Sequence, residues 1–240
     1  HSFYPPFYPF FLALIYKIFG HSYLAVGIVQ SIIGAISCVL IYVIGKKAYG
    51  ELIGLIASFI STLYLPFIKS AGLLLTELSF TFLLLFIVLY LFKIRDRGSI
   101  KDCLILGLLS GIALLIKSVM IFFPIFIAPI FMDLKNSGWI PSLKKYGVVI
   151  LFFILSVAPW TIRNYSIYHK FVPVSTQTGI GFYSSYCPAN GIFGVLASPN
   201  DPVMIEAGKF PSVVSQSDFL VKKTWEFIIN NPGKVFILEL

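Results

Sequence analysis

The chain has 240 residues, of which 58% are hydrophobic and 12% charged, and its mean hydropathy is +0.92. Too little polar surface remains to cover a soluble globule, so the composition excludes a soluble domain and points to an integral membrane protein. The formal net charge of +8 does not indicate a nucleic-acid partner, because the Lys and Arg residues fall in short connectors between apolar stretches instead of along one amphipathic face.

In chain order, "PPFYPFFLALIYKIF" begins with a Pro pair and runs for barely four turns, which predicts a short helix in or near the membrane interface. About 20 apolar residues cross the hydrocarbon core. The stretches near 23–44, 51–68, 76–94 and 146–162 are each long enough, and each predicts a spanning helix. The stretch 103–133 is too long for one comfortable span and is interrupted around "KSVM" and at Pro124 and Pro129. Two short helices meeting near Lys117 are favoured, with one long tilted helix as the alternative.

From Phe171 to Gly194, alternation such as "FVPVSTQTG" and "GFYSSY" predicts short extended pieces with Gly turns. After them "SDFLVKKTWEFIINNPGK" predicts an amphipathic helix ended by Asn, Pro and Gly, with Ser217 and Asp218 as N-cap candidates. The last residues, "KVFILEL", read as the opening of another apolar helix. The chain starts at His1 with no initiator Met or signal peptide, so the expectation is a fragment of a longer polytopic protein. Cys38 and Cys103 lie in apolar stretches and only Cys187 in a polar one, so no internal disulfide is expected.

The expected class is an all-α polytopic membrane protein with a small mixed extracytoplasmic loop subdomain. Residues 1–163 form its transmembrane helical region, an interfacial helix plus about six membrane helices. Residues 164–231 form the loop subdomain laid on the membrane, and 232–240 start a further transmembrane helix. With two helices in 103–133, Lys46, Lys47, Lys93, Arg95, Arg97, Lys101, Lys135, Lys144 and Lys145 share one side, which makes that side cytoplasmic.

Soluble-enzyme motifs are absent: there is no phosphate-binding Gly loop, HExxH, GxSxG or CxxC. Of the ten carboxylates, none forms a closely spaced pair suited to activating an acceptor or holding a metal. The catalytic acid of an enzyme built on this chain is therefore expected to be none of these ten.

The ordered set "YPPFYPFFLALIYKIFG", "GKKAYG", "LTELSFTFLLL", "GLLSGIALLIKS" and "APWTIRNY" resembles the GT-C glycosyltransferases of the protein-mannosyltransferase (family 39) and aminoarabinose-transferase type, over roughly the first 180 residues. The resemblance implies a hexosyl- or pentosyltransferase. It would take a sugar from a polyprenyl-phosphate donor and pass it to a lipid, glycan or protein acceptor on the extracytoplasmic face, with the lipid bilayer as its setting and no nucleic acid. It also implies a bacterial or archaeal plasma membrane location and an acidic catalytic residue in an external loop ahead of the Pro pair. It leaves metal use unknown, with a divalent metal as one option. Two positions depart from the pattern: relatives often carry His before the Pro pair where this chain has Tyr4, and usually read Thr-Arg-Pro where it has "IKSV", so Lys117 stands in for an Arg.

Four substrate-binding candidates follow: Arg163, Lys117, Glu77 and Lys69. A cation at the bilayer centre costs roughly 2.5 to 3.5 kcal/mol, so each must reach the interface or a polar cavity. A carrier phosphate would hold Arg163, which can grip it bidentately, and Lys117. Alternatively Arg163 snorkels to head groups while Trp160 marks the aromatic belt and Pro159 bends the helix end. Glu77, after Thr76, either complements a helix N-terminus or accepts from sugar hydroxyls and pairs with Lys69, Lys117 or Arg163. Simple snorkelling is favoured for Lys69. Phe182, Tyr183 and Tyr186 stack on a sugar or pack within the outer loop, with packing favoured. His1 is a lone terminal His and Asn164 a sequon by pattern only. A transporter or flippase for lipid-linked sugars or other amphiphiles is the competing function, and a structural subunit the third.

Overall fold

Pro5 and Pro6 lack backbone N–H groups, so they cost nothing where a helix begins and its first donors would be unpaired anyway. In the computed structural model of the chain, α1 (Phe7–Phe19) starts directly after them. The structure describes residues 3–132, 138–186, 197–198, 200–233 and 235. It divides into two compact units, Pro5–Pro159 and Trp160–Leu240 with His1–Tyr4.

In the first unit, Ser22 caps α2 (Tyr23–Tyr49), its Oγ accepting from the Ala25 N–H at 3.3 Å. One face of α2 exposes Ile28, Ile32, Ile36 and Val39, the spacing of a lipid-facing stripe. The other carries small and polar residues that let neighbouring helices approach closely. Gly50, at φ 97, reverses the chain in a single residue into α3 (Glu51–Leu63). The two helices then touch at glycine: a Cβ on Gly45 would lie 2.8 Å from the Gly54 Cα.

α3 does not continue through residue 68 as the hydropathy predicts. It stops at Tyr64, and α4 (Leu65–Gly72) leaves at 51° because Pro66 cannot continue the ladder of the preceding helix. The pair is one bent span or a re-entrant loop. After it come α5 (Glu77–Arg97) and α6 (Ile100–Leu114). The break near Lys117 falls where the sequence places it: Lys117 is extended, at φ −134 and ψ 118, between α6 and a short 3-10 turn (Ser118–Phe122) that leads into α7 (Phe123–Met132). The long α8 (Trp139–Tyr168) keeps Pro159 inside it and packs on α6 at Gly107 and Gly111, where a Cβ would collide with the Val149 carbonyl and the Ser156 hydroxyl. Among the described residues three helices, α2, α5 and α8, are long and apolar enough to cross a membrane, four if the bent pair is one span.

The turn from α5 to α6 is a capping box. Ser99 Oγ accepts from the Asp102 N–H and Asp102 Oδ2 accepts from the Ser99 N–H at 2.9 Å, while Asp102 Oδ1 meets Lys93 Nζ at 2.6 Å. The Lys93 ammonium first, and then the Ser99 N–H, pull the Asp102 carboxyl from 3.8 to about 2. A depressed carboxylate contributes stability that is present above its unfolded value and is lost only as pH falls through the folded one. Asp102→Ala is expected to cost roughly 1 kcal/mol at neutral pH, read as a lowered thermal midpoint in detergent. An unchanged midpoint would remove the box from the account.

In the second unit α8 runs on through Arg163 and Asn164 to Tyr168, past the predicted start of the outer loop, and ends at His169, a non-glycine residue at φ 50. Where extended pieces were expected, Gln177–Tyr186 is helical (α9). It is followed by α10 (Pro202–Gly208) and α11 (Val213–Asn230). α9 packs on α11 at Gly179, where a Cβ would collide with the Ser217 backbone. That contact requires Gly for close packing, not for a turn. The N-cap of α11 is Ser212, accepting from the Ser215 N–H at 3.1 Å, and not Ser217 or Asp218, which lie in its second turn. Among the described residues there is no strand. Cys38 and Cys103 are free thiols, and Cys187, His1 and, of 232–240, residues 234 and 236–240 lie outside the described residues.

Candidate functional site

Leu73–Thr76 forms the connector from α4 to α5, and Glu77 opens the first turn of the long apolar α5. Thr76 occupies the N-cap position, but its side chain makes no cap; its hydroxyl reaches Glu77 Oε2 at 3.4 Å. The carboxylate complements the positive helix end. From the break after α6, Lys117 reaches back across forty residues of sequence and donates to Glu77 Oε1 at 3.0 Å. Its Nζ also lies over the Phe80 ring, 5.6 Å from the centroid. Both side chains stay open, at 34% and 50% exposure, so a polar ligand can reach the pair without breaking into a core.

The structure thus joins two of the four sequence candidates. Lys69, in the last turn of α4, is exposed and in no ion pair among the described residues. Arg163 belongs to the second unit. Its Nη1 donates to Asn164 Oδ1 at 3.1 Å and its guanidinium stacks on Trp160, 4.5 Å from the ring centroid.

The neighbours of Arg163 explain why an apolar run ends in "PWTIRN". Trp160 Nε1 donates to the Val174 carbonyl at 2.7 Å, Thr161 Oγ1 to the Pro173 carbonyl at 2.8 Å, and Asn164 Nδ2 to the Val172 and Val174 carbonyls at 3.0 and 3.2 Å. Three side chains on one face of α8 therefore satisfy the backbone of the returning segment 172–174. Asn164 has no exposed surface, which sets aside the sequon reading. Sequence reasoning missed the roles of Thr161 and Asn164; the placement of Asn164 four residues after Trp160 and three after Thr161, on one helix face, was the available signal.

Of the aromatic cluster, Tyr183 is buried and donates to Asp201 Oδ1 at 3.0 Å, the same oxygen that caps α10. Phe182 meets both Tyr186 and Trp225 edge to face. Among the described residues no group of three His, Cys, Asp or Glu side chains is placed to hold a metal.

Apolar spans, a bent helix pair and an open charged pair at a helix start make this a polytopic integral membrane protein of all-α architecture. The family model of the dolichyl-phosphate-mannose-protein mannosyltransferases matches residues 4–162. The chain belongs to that family, and is a membrane glycosyltransferase of the GT-C type. The match takes in Lys69, Glu77 and Lys117 and stops one residue short of Arg163. No curated protein and no solved structure matches the chain.

Proposed function

We propose that the protein moves a hexose or pentose from a polyprenyl-phosphate carrier to a lipid, glycan or protein acceptor at the extracytoplasmic face of a bacterial or archaeal plasma membrane. The observation that carries the proposal is the open Glu77–Lys117 pair at the start of a membrane-spanning helix. A sugar phosphate presents hydroxyl donors beside an anion, and a carboxylate 3.0 Å from an ammonium offers the complementary acceptor and cation.

The acceptor oxygen or nitrogen attacks the anomeric carbon as the bond from that carbon to the carrier phosphate oxygen breaks. The electron pair leaves with the phosphate, whose growing charge Lys117 stabilises, and Glu77 holds a sugar hydroxyl. The acceptor proton passes to a carboxylate placed ahead of the Pro5-Pro6 pair. Arg163, in its own unit, is proposed as a second phosphate-binding cation, and Lys69 as a substrate contact. A single displacement inverts the anomeric centre. Transfer from a synthetic polyprenyl-phosphate sugar by the full-length protein should give product of opposite configuration with release of the polyprenyl phosphate. Retention would contradict the displacement, and movement of intact donor across a vesicle without bond cleavage would favour a transporter.

The orientation has a separate test. In a background without native cysteines, Lys46→Cys, Lys101→Cys and Ile140→Cys should resist an impermeant thiol reagent in intact cells, while Phe171→Cys and Asn200→Cys label. Labelling at 101 would put the active side in the cytoplasm.

A further inference from the structure

Gln30 lies in the third turn of the membrane-spanning helix α2 with no exposed surface. A buried carboxamide is costly unless each of its groups is paired. Here they all are. Its Oε1 accepts from the Tyr8 hydroxyl at 2.7 Å, and its Nε2 donates toward the carbonyls of Ser70, Ala71 and Leu73 at 3.3, 3.1 and 2.8 Å. Those carbonyls belong to the end of α4 and the residue after it, where a helix has no backbone donors left to offer. Gln30 therefore caps α4 from outside. The Leu73 carbonyl also takes the Leu75 N–H at 2.8 Å, and Thr76 and Glu77 follow directly.

The other partner of the charged pair is tied to the same group. The Phe7 N–H, the first donor after the Pro pair, reaches the Leu115 carbonyl at 3.0 Å, two residues ahead of Lys117. Phe7 is joined to Tyr8, Tyr8 to Gln30, and Gln30 to the connector that leads to Glu77. With the Glu77–Lys117 contact the path closes into a ring built from α1, α2, the α4–α5 connector and the break after α6.

We propose that Gln30, held by Tyr8, is a positioning residue that fixes the Ser70–Thr76 turn and thereby sets Glu77 against Lys117. The inference rests on the reading of that pair as substrate-facing. The Pro pair gains a structural purpose as well: it starts α1 so that the first N–H and the first tyrosine of the helix reach Leu115 and Gln30. Two substitutions separate the capping from packing. Gln30→Glu keeps the shape but, when ionised, has no N–H to give to carbonyls, and Tyr8→Phe removes only the hydroxyl.

The test uses the full-length protein in nanodiscs, with hydrogen exchange and transfer kinetics measured on the same samples. In Gln30→Glu, amides of residues 70–80 should exchange about tenfold faster while those of α8 do not change, since local opening follows the local contacts. Turnover should fall about 10- to 100-fold, with a smaller change in KM, because a displaced group loses alignment more than binding. Tyr8→Phe should show the same pattern at smaller size, and serves if Gln30→Glu does not fold. Unchanged exchange at 70–80 in the variants, or equal acceleration in every helix, would overturn the inference. Faster exchange at 70–80 with normal turnover would uphold the clamp and overturn the substrate-facing reading of Glu77 and Lys117.

Discussion

Replacing Arg163 with Ala in the full-length protein is expected to lower turnover about 30- to 1000-fold and to weaken apparent affinity for the lipid donor, the loss of one charge-assisted contact worth about 2 to 4 kcal/mol in a dry site. The effect must appear in turnover as well as affinity if the guanidinium meets charge that grows on the leaving phosphate. Arg163→Lys should recover only part, since an ammonium keeps the charge and loses the fork. The competing role is local. Arg163 donates to Asn164, whose amide holds segment 172–174, and stacks on Trp160, which holds it too. A purely local Arg would behave differently: Lys would substitute fully, and Ala would lower the thermal midpoint while turnover per folded molecule stayed intact. Transfer by purified, folded variants decides the matter, and normal turnover in Arg163→Ala would end the phosphate role.

Lys117→Met is expected to lower turnover by about 100- to 1000-fold, as removal of a cation from a developing anion does. Glu77→Gln should cost roughly 10- to 100-fold, the scale of a hydrogen bond to a charged group. Neither change should cost more than about 1 kcal/mol of stability, because ion pairs open to water are worth little; the two side chains are 34% and 50% exposed. That split between activity and stability would mark the pair as substrate-facing. Lys117→Arg should keep most of the activity, since a guanidinium supplies the same charge and can also grip a phosphate. A large fall in thermal midpoint with unchanged turnover in Lys117→Met would make the pair a structural tie.

Hydropathy made the apolar helices legible, because lipid demands that each span satisfy its own backbone. It also located the break near Lys117, where a charged residue and two prolines interrupt one long stretch. It did not locate the bend at Tyr64. After Glu51 no charge interrupts the run to residue 68, and only Pro66 marks the break. The extended reading failed at residues 177–186 for a related reason. "QTGIGFYSSY" alternates, but its Gly179 serves a helix–helix approach at Ser217, which no local pattern reveals.

The site was legible in part. Charge within apolar sequence singled out Glu77 and Lys117, and their contact needed the fold, since forty residues separate them. Gln30 was not legible at all. An uncharged residue inside a spanning helix gives no electrostatic signal, and its partners are carbonyls, which are present at every position. Asn164 is a sequon by pattern only, and its burial and its bonds to Val172 and Val174 make it a backbone anchor.

The central claim, that Lys117 grips the phosphate of a polyprenyl-linked donor, is tested most directly by equilibrium binding of polyprenyl phosphate to the full-length protein in nanodiscs. Polyprenyl phosphate should bind the wild type, polyprenol of the same length should bind far more weakly, and Lys117→Met should weaken the phosphate form at least about tenfold, the size of one charged contact. Equal binding of phosphate and alcohol, or full binding of the phosphate by Lys117→Met, would contradict the account.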